Sequence, residues 1–434
     1  MLFRPLLATA AGKAARVASR LRGGGSALPG LVAERVDPKF LANALSQVRG
    51  GVIVVSGTNG KTTTTKMLAA VLREHGLDVF SNPTGSNFTR GVISAMLPLL
   101  PASGRLRADA AVLELDEAHA LKFAAAVQPT HSLLLNVARD QLDRFAEIDH
   151  TAKLLAQLAG QTTQGVVLNR DDSFVSRIAG GQGVPTASYF GLDDSMRDRL
   201  DELSEQDVRF EDESAVPDPG PQDGLLKAID ERDFEVRFAD GLVLGPLALR
   251  QRGLAAMINA TAAVTMARRV LGERFDAAAT ERALRAVTPP FGRGEVIDVD
   301  GQPLELVLVK NPAGFTVALN TYGSTPVATM IAINDNYADG RDVSWLYDVS
   351  FASLAGKGVA VTSGVRAYDM ALRLSYDDVS TGHVELDLTT ALDYLLATHP
   401  NEPKRIFCTY TAMMALRRTL AERYGLADFG EEAV

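Results

Sequence analysis

One segment constrains the fold of this chain more than any other, a β-branched apolar run followed by glycines, a lysine and threonines. Residues 51–55, Gly-Val-Ile-Val-Val, predict a buried strand, and a helical pattern runs from Lys61 to about His75. Residues 56–63, Ser-Gly-Thr-Asn-Gly-Lys-Thr-Thr, therefore lie where a phosphate-binding loop belongs, after a strand and before a helix. The alternative, a glycine turn beside a surface lysine, does not explain why all these features occur together.

The residue types in this loop are those that nucleotide binding needs. Gly57 and Gly60 allow backbone N–H groups to approach phosphates, and the helix N-terminus beyond them favours anions. Lys61 is expected to reach the β- and γ-phosphates, and the Thr62 hydroxyl is expected to bind Mg²⁺. The spacing Gly-x-x-Gly-Lys-Thr is two residues shorter than the general phosphate-loop pattern. We predict ATP contacts along the whole loop: Gly57, Thr58, Asn59, Gly60, Lys61, Thr62 and Thr63.

A nucleotide site also needs carboxylates for its metal ion, and acids follow two of the predicted strands. Glu114 and Asp116 come at the end of an apolar run, where strand alternation would place both on one face. Because α/β sheets bind ligands at the carboxyl ends of their strands, we predict Glu114 as a metal ligand and catalytic residue. The alternative is a strand that has simply ended in exposed acids. Asp140 and Asp143 follow the next strand at helical spacing, and they either face the same cleft or are solvated.

The first half of the chain alternates strands with helices, which predicts parallel β-α-β units and an α/β domain. Strands are expected at 110–115, 132–136 and 165–169. Between about residues 192 and 240 the composition becomes acidic and rich in turn formers, so we expect an exposed insertion with few core positions. A helix is expected to follow, from about Gly253 towards Leu271.

The α/β rhythm restarts after Pro289–Glu295, which we interpret as a linker or domain boundary. Further strands are expected at 304–309, 327–333, 358–362 and near 405–409. The length of 434 residues suggests two or three domains at roughly 100–200 residues each. We predict a basic lead-in over 1–47, a central ATP-binding domain over 48–291 and a C-terminal α/β domain over 292–434.

Charge and cysteine content exclude several classes of protein. A formal net charge of −9 argues against a nucleic-acid binder. The single cysteine, Cys408, excludes a disulfide framework and a four-cysteine zinc ribbon, and its buried-strand pattern makes it a poor nucleophile candidate. No apolar run approaches the roughly 18 residues of a spanning helix, so a cytoplasmic location is expected. The basic amphipathic helix over residues 1–25 is expected either to pack on the body of the protein or to contact a membrane surface.

Several of these motifs resemble those of the Mur ligase superfamily, whose members make peptidoglycan precursors and whose relatives include the folylpolyglutamate synthases. The loop at 57–63 resembles the nucleotide loop of the superfamily. Asn136, followed by Asp140-Gln-Leu-Asp143, is similar to the superfamily motif Asn…Asp-His-Leu-Asp, with Gln141 in place of the histidine.

The resemblance extends to residues that contact the nucleotide in the superfamily. Gly292-Arg-Gly-Glu295 resembles the Gly-Arg-x-Glu motif that opens the hinge into the C-terminal domain. Asn259 matches an asparagine that contacts the nucleotide base, whereas Ala256 stands where a further asparagine is usual. Nucleotide contacts by Arg293 and Asn259 are therefore implied.

Two longer motifs resemble one family within the superfamily, the MurT subunits of lipid II isoglutaminyl synthase. They are Lys310-Asn-Pro-Ala-Gly314 and Ile333-Asn-Asp-Asn-Tyr-Ala-Asp-Gly-Arg-Asp-Val-Ser-Trp-Leu-Tyr-Asp348. The basic first helix and Leu28-Pro-Gly30 agree as well, so the resemblance covers nearly the whole chain. It implies a Mur-ligase-like central P-loop ATPase domain with a parallel sheet and a Rossmann-like C-terminal domain.

The resemblance also implies an activity. Such subunits use ATP and Mg²⁺ to activate the α-carboxylate of D-glutamate in the lipid II stem peptide as an acyl phosphate, which ammonia converts to D-isoglutamine. The ammonia comes from glutamine, hydrolysed by a GatD-type glutaminase that docks on the C-terminal domain. Phosphoryl transfer needs positioning and charge neutralisation, which Lys61, Thr62 and Glu114 are expected to supply.

An aspartate of the synthetase subunit is implied to complete the triad of the glutaminase, which itself supplies a cysteine and a histidine. Motif position favours Asp342, and Asp335, Asp339 and Asp348 are open alternatives. Typical members carry a four-cysteine zinc ribbon in the central domain. The corresponding acidic segment, about 192–240, contains no cysteine, so no zinc is expected.

Two other functions stay open on sequence alone. A stand-alone Mur-type or folylpolyglutamate-type amino-acid ligase would need a C-terminal pocket for an amino acid where the glutaminase would otherwise dock. A nucleotide-binding scaffold for cell-wall assembly would need no catalysis. Loss of ATP hydrolysis on replacing Lys61 separates an enzyme from a scaffold.

Overall fold

The computed structural model describes residues 3–21, 27–82, 88–101, 103–138, 145–203, 217–290, 292–323 and 325–426. Two β-sheets organise these residues, one of nine strands and one of six, and helices cover both. The predicted α/β class is confirmed. The domain limits after residues 47 and 291 stay predictions.

Three helices precede the first strand: α1 (Phe3–Leu21), α2 (Leu28–Val36) and α3 (Phe40–Leu45). α1 lies along α2, and a Cβ added to Gly12 would be 2.8 Å from the Leu97 methyl groups. Lys13 Nζ donates a hydrogen bond to the backbone oxygen of Leu100 at 2.7 Å. One side of the basic helix therefore packs on the body of the protein. Among the described residues, no helix is long and apolar enough to cross a membrane.

The larger sheet is parallel through seven strands and ends in an antiparallel meander. Its strands are β1 (Val52–Ser56), β2 (Val79–Ser81), β3 (Ala110–Glu114), β4 (His131–Leu134), β5 (Gly165–Asn169), β6 (Ala187–Leu192), β7 (Gly224–Ala228), β8 (Asp233–Phe238) and β9 (Val243–Ala248). Their order is β2-β3-β1-β4-β5-β6-β7-β8-β9. The four strands predicted in this half are present: 165–169 has the predicted limits, and the ends of the other three differ by at most two residues. They read as continuous apolar runs because both faces of a parallel sheet are buried.

Helices cover the two faces of this sheet. The segments are α4 (Lys61–Glu74), α5 (Thr89–Met96), α6 (Glu117–Ala126), α7 (Phe145–Gln161), α8 (Ser173–Ser176), α9 (Leu254–Leu271) and α10 (Ala277–Ala286). One apolar core lies under α4, α9 and α10, and the other lies under α1 to α3 and α5 to α7. The helices predicted after β1 and from about Gly253 to Leu271 are confirmed.

The prediction of an exposed insertion with few core positions is wrong for the second part of the segment at 192–240. β7 and β8 extend the sheet there, and Leu226, Phe234 and Val236 are fully buried beneath α9. Side chains along β8 alternate between half-buried and buried, so every second residue is polar. These polar residues dominate the composition of the segment at 192–240, so its composition did not indicate β7 and β8. Residues 204–216 lie outside the described residues.

The smaller sheet contains β10 (Arg293–Val299), β11 (Gln302–Leu308), β12 (Ala328–Ala332), β13 (Val359–Ser363), β14 (Thr381–Glu385) and β15 (Lys404–Cys408). Their order is β10-β11-β15-β12-β13-β14, and every pair except β10 with β11 is parallel. Its helices are α11 (Pro312–Tyr322), α12 (Ala367–Ser375), α13 (Leu388–Thr398) and α14 (Tyr410–Tyr424). The four strands predicted in this half are confirmed, and β10 begins inside the segment interpreted as a linker.

An ionic cluster joins the two sheets. Glu305 of β11 accepts hydrogen bonds from Arg252, which precedes α9, and from Arg405 of β15 at 2.8 Å. Both guanidinium groups lie over the ring of Tyr322, at 5.3 and 5.2 Å from its centroid. Burial, reinforced by the Glu305 carboxylate, raises the pKa of Tyr322 to about 12. The cluster fixes the start of α9 against the smaller sheet.

Candidate active site

The loop between β1 and α4 has the backbone of a phosphate cradle. Gly57 and Gly60 have φ angles of +133° and +86°, which side chains disfavour. Gly60 caps α4, and a Cβ there would be 2.4 Å from Oδ1 of Asn259. The absence of a side chain at Gly60 thus lets α9 approach the loop. Gly60 and Asn259, which two separate motifs predict as nucleotide contacts, therefore lie next to each other.

Asn136, which follows β4, holds this loop in place. The Asn59 N–H donates to Oδ1 of Asn136 at 2.8 Å, and Nδ2 of Asn136 donates to the Asn59 oxygen at 3.0 Å. The Thr58 N–H donates to the Asn136 oxygen at 3.0 Å, and Oγ1 of Thr58 accepts from the Ala138 N–H at 3.1 Å. The N–H groups of Thr58 and Asn59 are therefore occupied, so phosphates would have to be bound by other groups of the loop.

Four neighbouring N–H groups can take that role. Within the described part of the chain, no acceptor receives a hydrogen bond from the N–H of Gly60, Lys61, Thr62 or Thr63. They form the first turn of α4, where a helix leaves donors unsatisfied and its dipole favours negative charge. Donors held rigidly in this way suit the phosphate groups of a nucleotide.

Lys61 lies beneath the loop, with its side chain 11% exposed. Its Nζ donates to the backbone oxygens of Gly57 and Thr58, the latter at 3.2 Å, and contacts Oε1 of Glu117 at 3.4 Å. The ammonium group is thus held within the loop that would surround the phosphates. Glu117 was not predicted, since an acid in the first turn of a helix is commonly a solvated residue.

Thr62 connects the loop to an acid and to an arginine. Its Oγ1 donates to Oε1 of Glu114 at 2.9 Å and accepts from Nη2 of Arg293 at 3.0 Å. Glu114, 6% exposed at the end of β3, is held by Asn82, whose amide pairs with its backbone N–H and oxygen at 2.9 Å each. Burial lowers the pKa of Arg293, and the Glu114 carboxylate opposes that shift. Three residues predicted from three motifs therefore meet here, whereas Asn82 had no signal in the sequence.

The expectation that Asp116 shares a strand face with Glu114 is wrong. β3 ends at Glu114, and the Asp116 side chain caps α6 by accepting from the Ala118 N–H at 3.3 Å. Its carboxylate satisfies a helix end, as N-cap aspartates commonly do. Asp140, Gln141 and Asp143 lie outside the described residues.

Mg²⁺ fits the donors at Thr62. A hydroxyl and a carboxylate oxygen 2.9 Å apart are hard oxygen ligands, and Mg²⁺ typically combines one or two protein ligands with water and substrate phosphates. Over the described ranges, no three His, Cys, Asp or Glu side chains form a cluster that could hold a metal ion. The other ligands would accordingly be phosphate oxygens and water.

The Lys310–Gly314 motif also reaches the loop. Asn311 is fully buried and caps α11 through the Gly314 N–H at 2.7 Å. Its Nδ2 donates to Oδ1 of Asn59 at 3.3 Å, so a residue of the smaller sheet's first helix contacts the phosphate loop directly. This contact, between residues far apart in the sequence, was not predicted.

The segment at 333–348 follows β12 and separates the four aspartates by environment. Asp339 accepts hydrogen bonds from the N–H and the hydroxyl of Thr411 and from the Asn336 N–H. Asp335 forms an ion pair with Arg366 at 2.7 Å. Both carboxylates therefore have structural partners.

Asp342 differs because half of its carboxylate is unoccupied. Oδ1 accepts from the N–H and hydroxyl of Ser344 at 2.9 and 2.6 Å, and Oδ2 accepts no hydrogen bond from any described residue. The Ser344 bonds lower the pKa of Asp342, which keeps the group ionised. Asp348 is exposed at the other end of the same turn. Trp345 between them is buried against Phe315, with ring centroids 6.3 Å apart.

Cys408 lies in β15 with no exposed surface. Burial raises the pKa of its thiol, and the negative charge of Asp339 adds to the shift. Since the thiolate is the nucleophilic form, this cysteine is unsuited to attack a substrate.

Comparison with known proteins places these features in one class. Two family models match the chain, Mur ligase middle domain at residues 55–218 and MurT ligase C-terminal at residues 308–413. The fold is similar to that of MurF from Acinetobacter baumannii, with a TM-score of 0.66, 18% identity and coverage of 91% of this chain and 80% of that one. It is also similar to E. coli FolC, with a TM-score of 0.61, 15% identity and coverage of 89% and 92%. The fold is that of the Mur-type ligases, and the family match identifies the part of the chain that contains the loop as a Mur ligase middle domain.

Two relatives specify the family. The chain is 30% identical to the subunit MurT of the glutamine-hydrolysing lipid II isoglutaminyl synthase of Streptococcus pneumoniae, over 98% of both chains. It is 29% identical to the MurT subunit of Staphylococcus aureus, over 85% of this chain and 86% of that one. The chain therefore belongs to the MurT family of ligases in peptidoglycan synthesis.

Proposed function

We propose that this chain amidates the α-carboxylate of D-glutamate in the lipid II stem peptide, using ATP, Mg²⁺ and ammonia from a GatD-type glutaminase. The observation that carries the proposal is the meeting of Thr62, Glu114 and Arg293 beside four N–H groups that no described residue satisfies. Membership of the MurT family supports the choice of substrate, because the relatives are named lipid II isoglutaminyl synthase subunits.

The reaction needs an activated carboxylate, because a free carboxylate is a poor electrophile. A substrate oxygen would attack the γ-phosphorus of ATP, with ADP as the leaving group. Ammonia would then attack the carbonyl carbon of the acyl phosphate, phosphate would leave, and the nitrogen would lose a proton.

The chain's own residues would position and neutralise the transferring group. Lys61 and the first turn of α4 would hold the β- and γ-phosphates, and Arg293 would add a positive charge at Thr62. Thr62 and Glu114 would hold Mg²⁺, which when bound neutralises phosphate charge and orients the oxygens. Asn136 and Asn259 would keep the loop in the geometry that these contacts need.

Transfer of a heavy oxygen isotope tests the activation step. Lipid II labelled in the α-carboxylate of D-glutamate is incubated with the protein, ATP, Mg²⁺ and ammonium. Activation as an acyl phosphate predicts one labelled oxygen in each released phosphate and one in each amide. Unlabelled phosphate accompanied by amidation would contradict the mechanism, and addition of an amino acid in place of ammonia would favour a stand-alone ligase.

An exposed aromatic surface supports a protein partner at the smaller sheet. Tyr368 and Leu372 on α12 and Tyr376, which caps its C-terminal end, are spaced four residues apart and are 66%, 50% and 64% exposed; we call them the α12 face. The ring of Tyr376 lies 6.0 Å from that of Tyr347, which is in the turn that follows Asp342. Aromatic side chains are enriched at protein interfaces, so a glutaminase bound here would lie beside the segment with the free carboxylate oxygen.

Asp342 is the aspartate that the geometry favours for the partner's triad, because its Oδ2 is available to a histidine. We expect Asp342→Asn to abolish glutamine-dependent amidation while ammonium-dependent amidation continues. Asp348→Asn is the matched control, since this exposed aspartate lies in the same turn and should retain both activities. Equal loss of both activities in Asp342→Asn, or selective loss in Asp348→Asn, would refute the assignment.

We also propose that the protein acts in the cytoplasm at the inner face of the membrane, because its proposed substrate is attached to a lipid.

A further inference from the structure

The first helix turns an apolar face to solvent. Leu6, Leu7 and Val17 of α1 are 44%, 54% and 61% exposed. The exposed alanines on the same side are Ala10, Ala14 and Ala18. At 3.6 residues per turn, all six positions fall within an arc of about 120°. This outward face contains no polar residue.

The packed side of α1 has the opposite character. The buried residues there are Ala8, Thr9, Gly12 and Ser19, and their small side chains allow the backbone to lie close to α2 and Leu97. A helix that only packs on a protein turns its large apolar side chains inward. Here small residues face inward and leucines face outward, so packing on the body of the protein does not explain the amphipathicity.

The charge of this region has one sign. Residues 1–33 contain five basic side chains and no acid, although the whole chain has a formal net charge of −9. The basic residues are Arg4, Lys13, Arg16, Arg20 and Arg22. Lys13 is next to the outward face and Arg4 is exposed beside it. An apolar stripe on a helix whose charged residues are all cations matches helices that lie in the plane of an anionic membrane surface.

We propose that the outward face of α1 docks on an anionic lipid surface. Leu6, Leu7 and Val17 would enter the boundary between headgroups and acyl chains, and the flanking cations would contact lipid phosphates. Charge complementarity selects this occupant, because a second copy of the chain would bring the same cations into contact. The inference deepens the proposed membrane location but rests on the face and charge of α1, which are independent of the catalytic site.

Sedimentation with vesicles tests the docking. The full chain is mixed with vesicles of equal parts phosphatidylglycerol and phosphatidylcholine, or of phosphatidylcholine alone. We expect the protein to bind the anionic vesicles at least about tenfold more tightly than the neutral ones. Binding to the anionic vesicles should weaken as salt is added. Leu7→Gln with Val17→Gln should lower anionic binding by at least about tenfold, since glutamine preserves helix propensity but removes the apolar anchors.

A matched control comes from equally exposed apolar residues elsewhere. Ile229, directly after β7, and Val243, the first residue of β9, are 56% and 51% exposed, and Ile229→Gln with Val243→Gln should bind like the wild type. Absence of wild-type binding, or equal loss in both double variants, would overturn the proposal. So would a wild-type dimer in light scattering that Leu7→Gln with Val17→Gln converts to a monomer without any vesicle binding.

Catalysis is measured separately in the same variants. Ammonium-dependent amidation of a detergent-solubilised substrate should be unchanged by Leu7→Gln with Val17→Gln. Vesicle binding without amidation would refute the proposed function and leave the docking inference intact. Amidation without vesicle binding would refute the docking inference and leave the proposed function intact.

Discussion

Replacing Gly60 with alanine tests the contact between the phosphate loop and α9. The new Cβ would be 2.4 Å from Oδ1 of Asn259, whereas Cβ atoms essentially never lie closer than 3.0 Å to another heavy atom of this kind. The residue would also keep a φ of +86°, which alanine disfavours. Two separate costs are therefore expected at one position.

The size of each cost follows from the geometry. A left-handed backbone costs a non-glycine residue about 1–2 kcal/mol, and overpacking adds about 1–3 kcal/mol. Gly60→Ala should therefore lower the free energy of unfolding by about 2–5 kcal/mol. ADP binding should weaken as well, because relief of the contact with Asn259 would shift the Gly60 N–H, one of the four donors without an acceptor in the described structure.

Chemical denaturation and ADP titration measure these effects, and Gly76→Ala is the matched control. Gly76 follows α4 with a φ of +81°, and nothing lies within 4 Å of its added Cβ. It should lose only about 1 kcal/mol and retain ADP affinity. In an Asn259→Ala background the cost of Gly60→Ala should fall towards that of Gly76→Ala, which a double-mutant cycle measures. Equal costs for Gly60→Ala and Gly76→Ala in the wild-type background would refute the contact.

Three further predictions concern acid stability, the ionic cluster and the partner surface. Burial, with Arg269 nearby, lowers the pKa of His131 to about 4, so the unfolded chain takes up the proton first as the pH falls below 6.5. Between pH 6.5 and about 4, the wild type should therefore lose stability, and His131→Gln should abolish on the order of 2 kcal/mol of that loss. The same dependence of the free energy of unfolding on pH in both proteins would contradict this. Glu305→Gln should lower the free energy of unfolding by about 3 kcal/mol because Arg405, 1% exposed, loses its counter-charge; a loss far below 1 kcal/mol would argue otherwise. Tyr368→Asp should weaken glutaminase binding in titration calorimetry and spare ammonium-dependent amidation, whereas unchanged binding would exclude the α12 face.

The parallel strands were the most predictable part of the fold. β1, β3 and β5 appear in the sequence as continuous apolar runs because both faces of their sheet are buried. β8 alternates polar and apolar residues within an acidic segment, and its signal was lost in the composition. A local pattern predicts a strand well only when it dominates its neighbourhood.

The candidate site was predictable in its residues more than in its contacts. Motifs identified Thr62, Glu114 and Arg293 separately, but their meeting depends on how β3 and β10 lie against the loop. Asn82 and Glu117 were missed because each acts through tertiary contacts, which leave no spacing pattern in the sequence.

The central claim is that the substrate is activated by ATP at the phosphate loop. It is tested most directly by comparing amidation in variants of two lysines on α4, Lys61 and Lys66. Lys61 lies under the loop, whereas Lys66 of the same helix contacts Thr288, which follows α10. Replacing either lysine with alanine removes one positive charge. Mass spectrometry follows conversion of lipid II to its amide with ammonium and ATP. We predict that the wild type and Lys66→Ala form the amide only with ATP, and that Lys61→Ala is slower by about a hundredfold or more. Amide formation by Lys61→Ala at the rate of Lys66→Ala, or by the wild type without ATP, would contradict the claim.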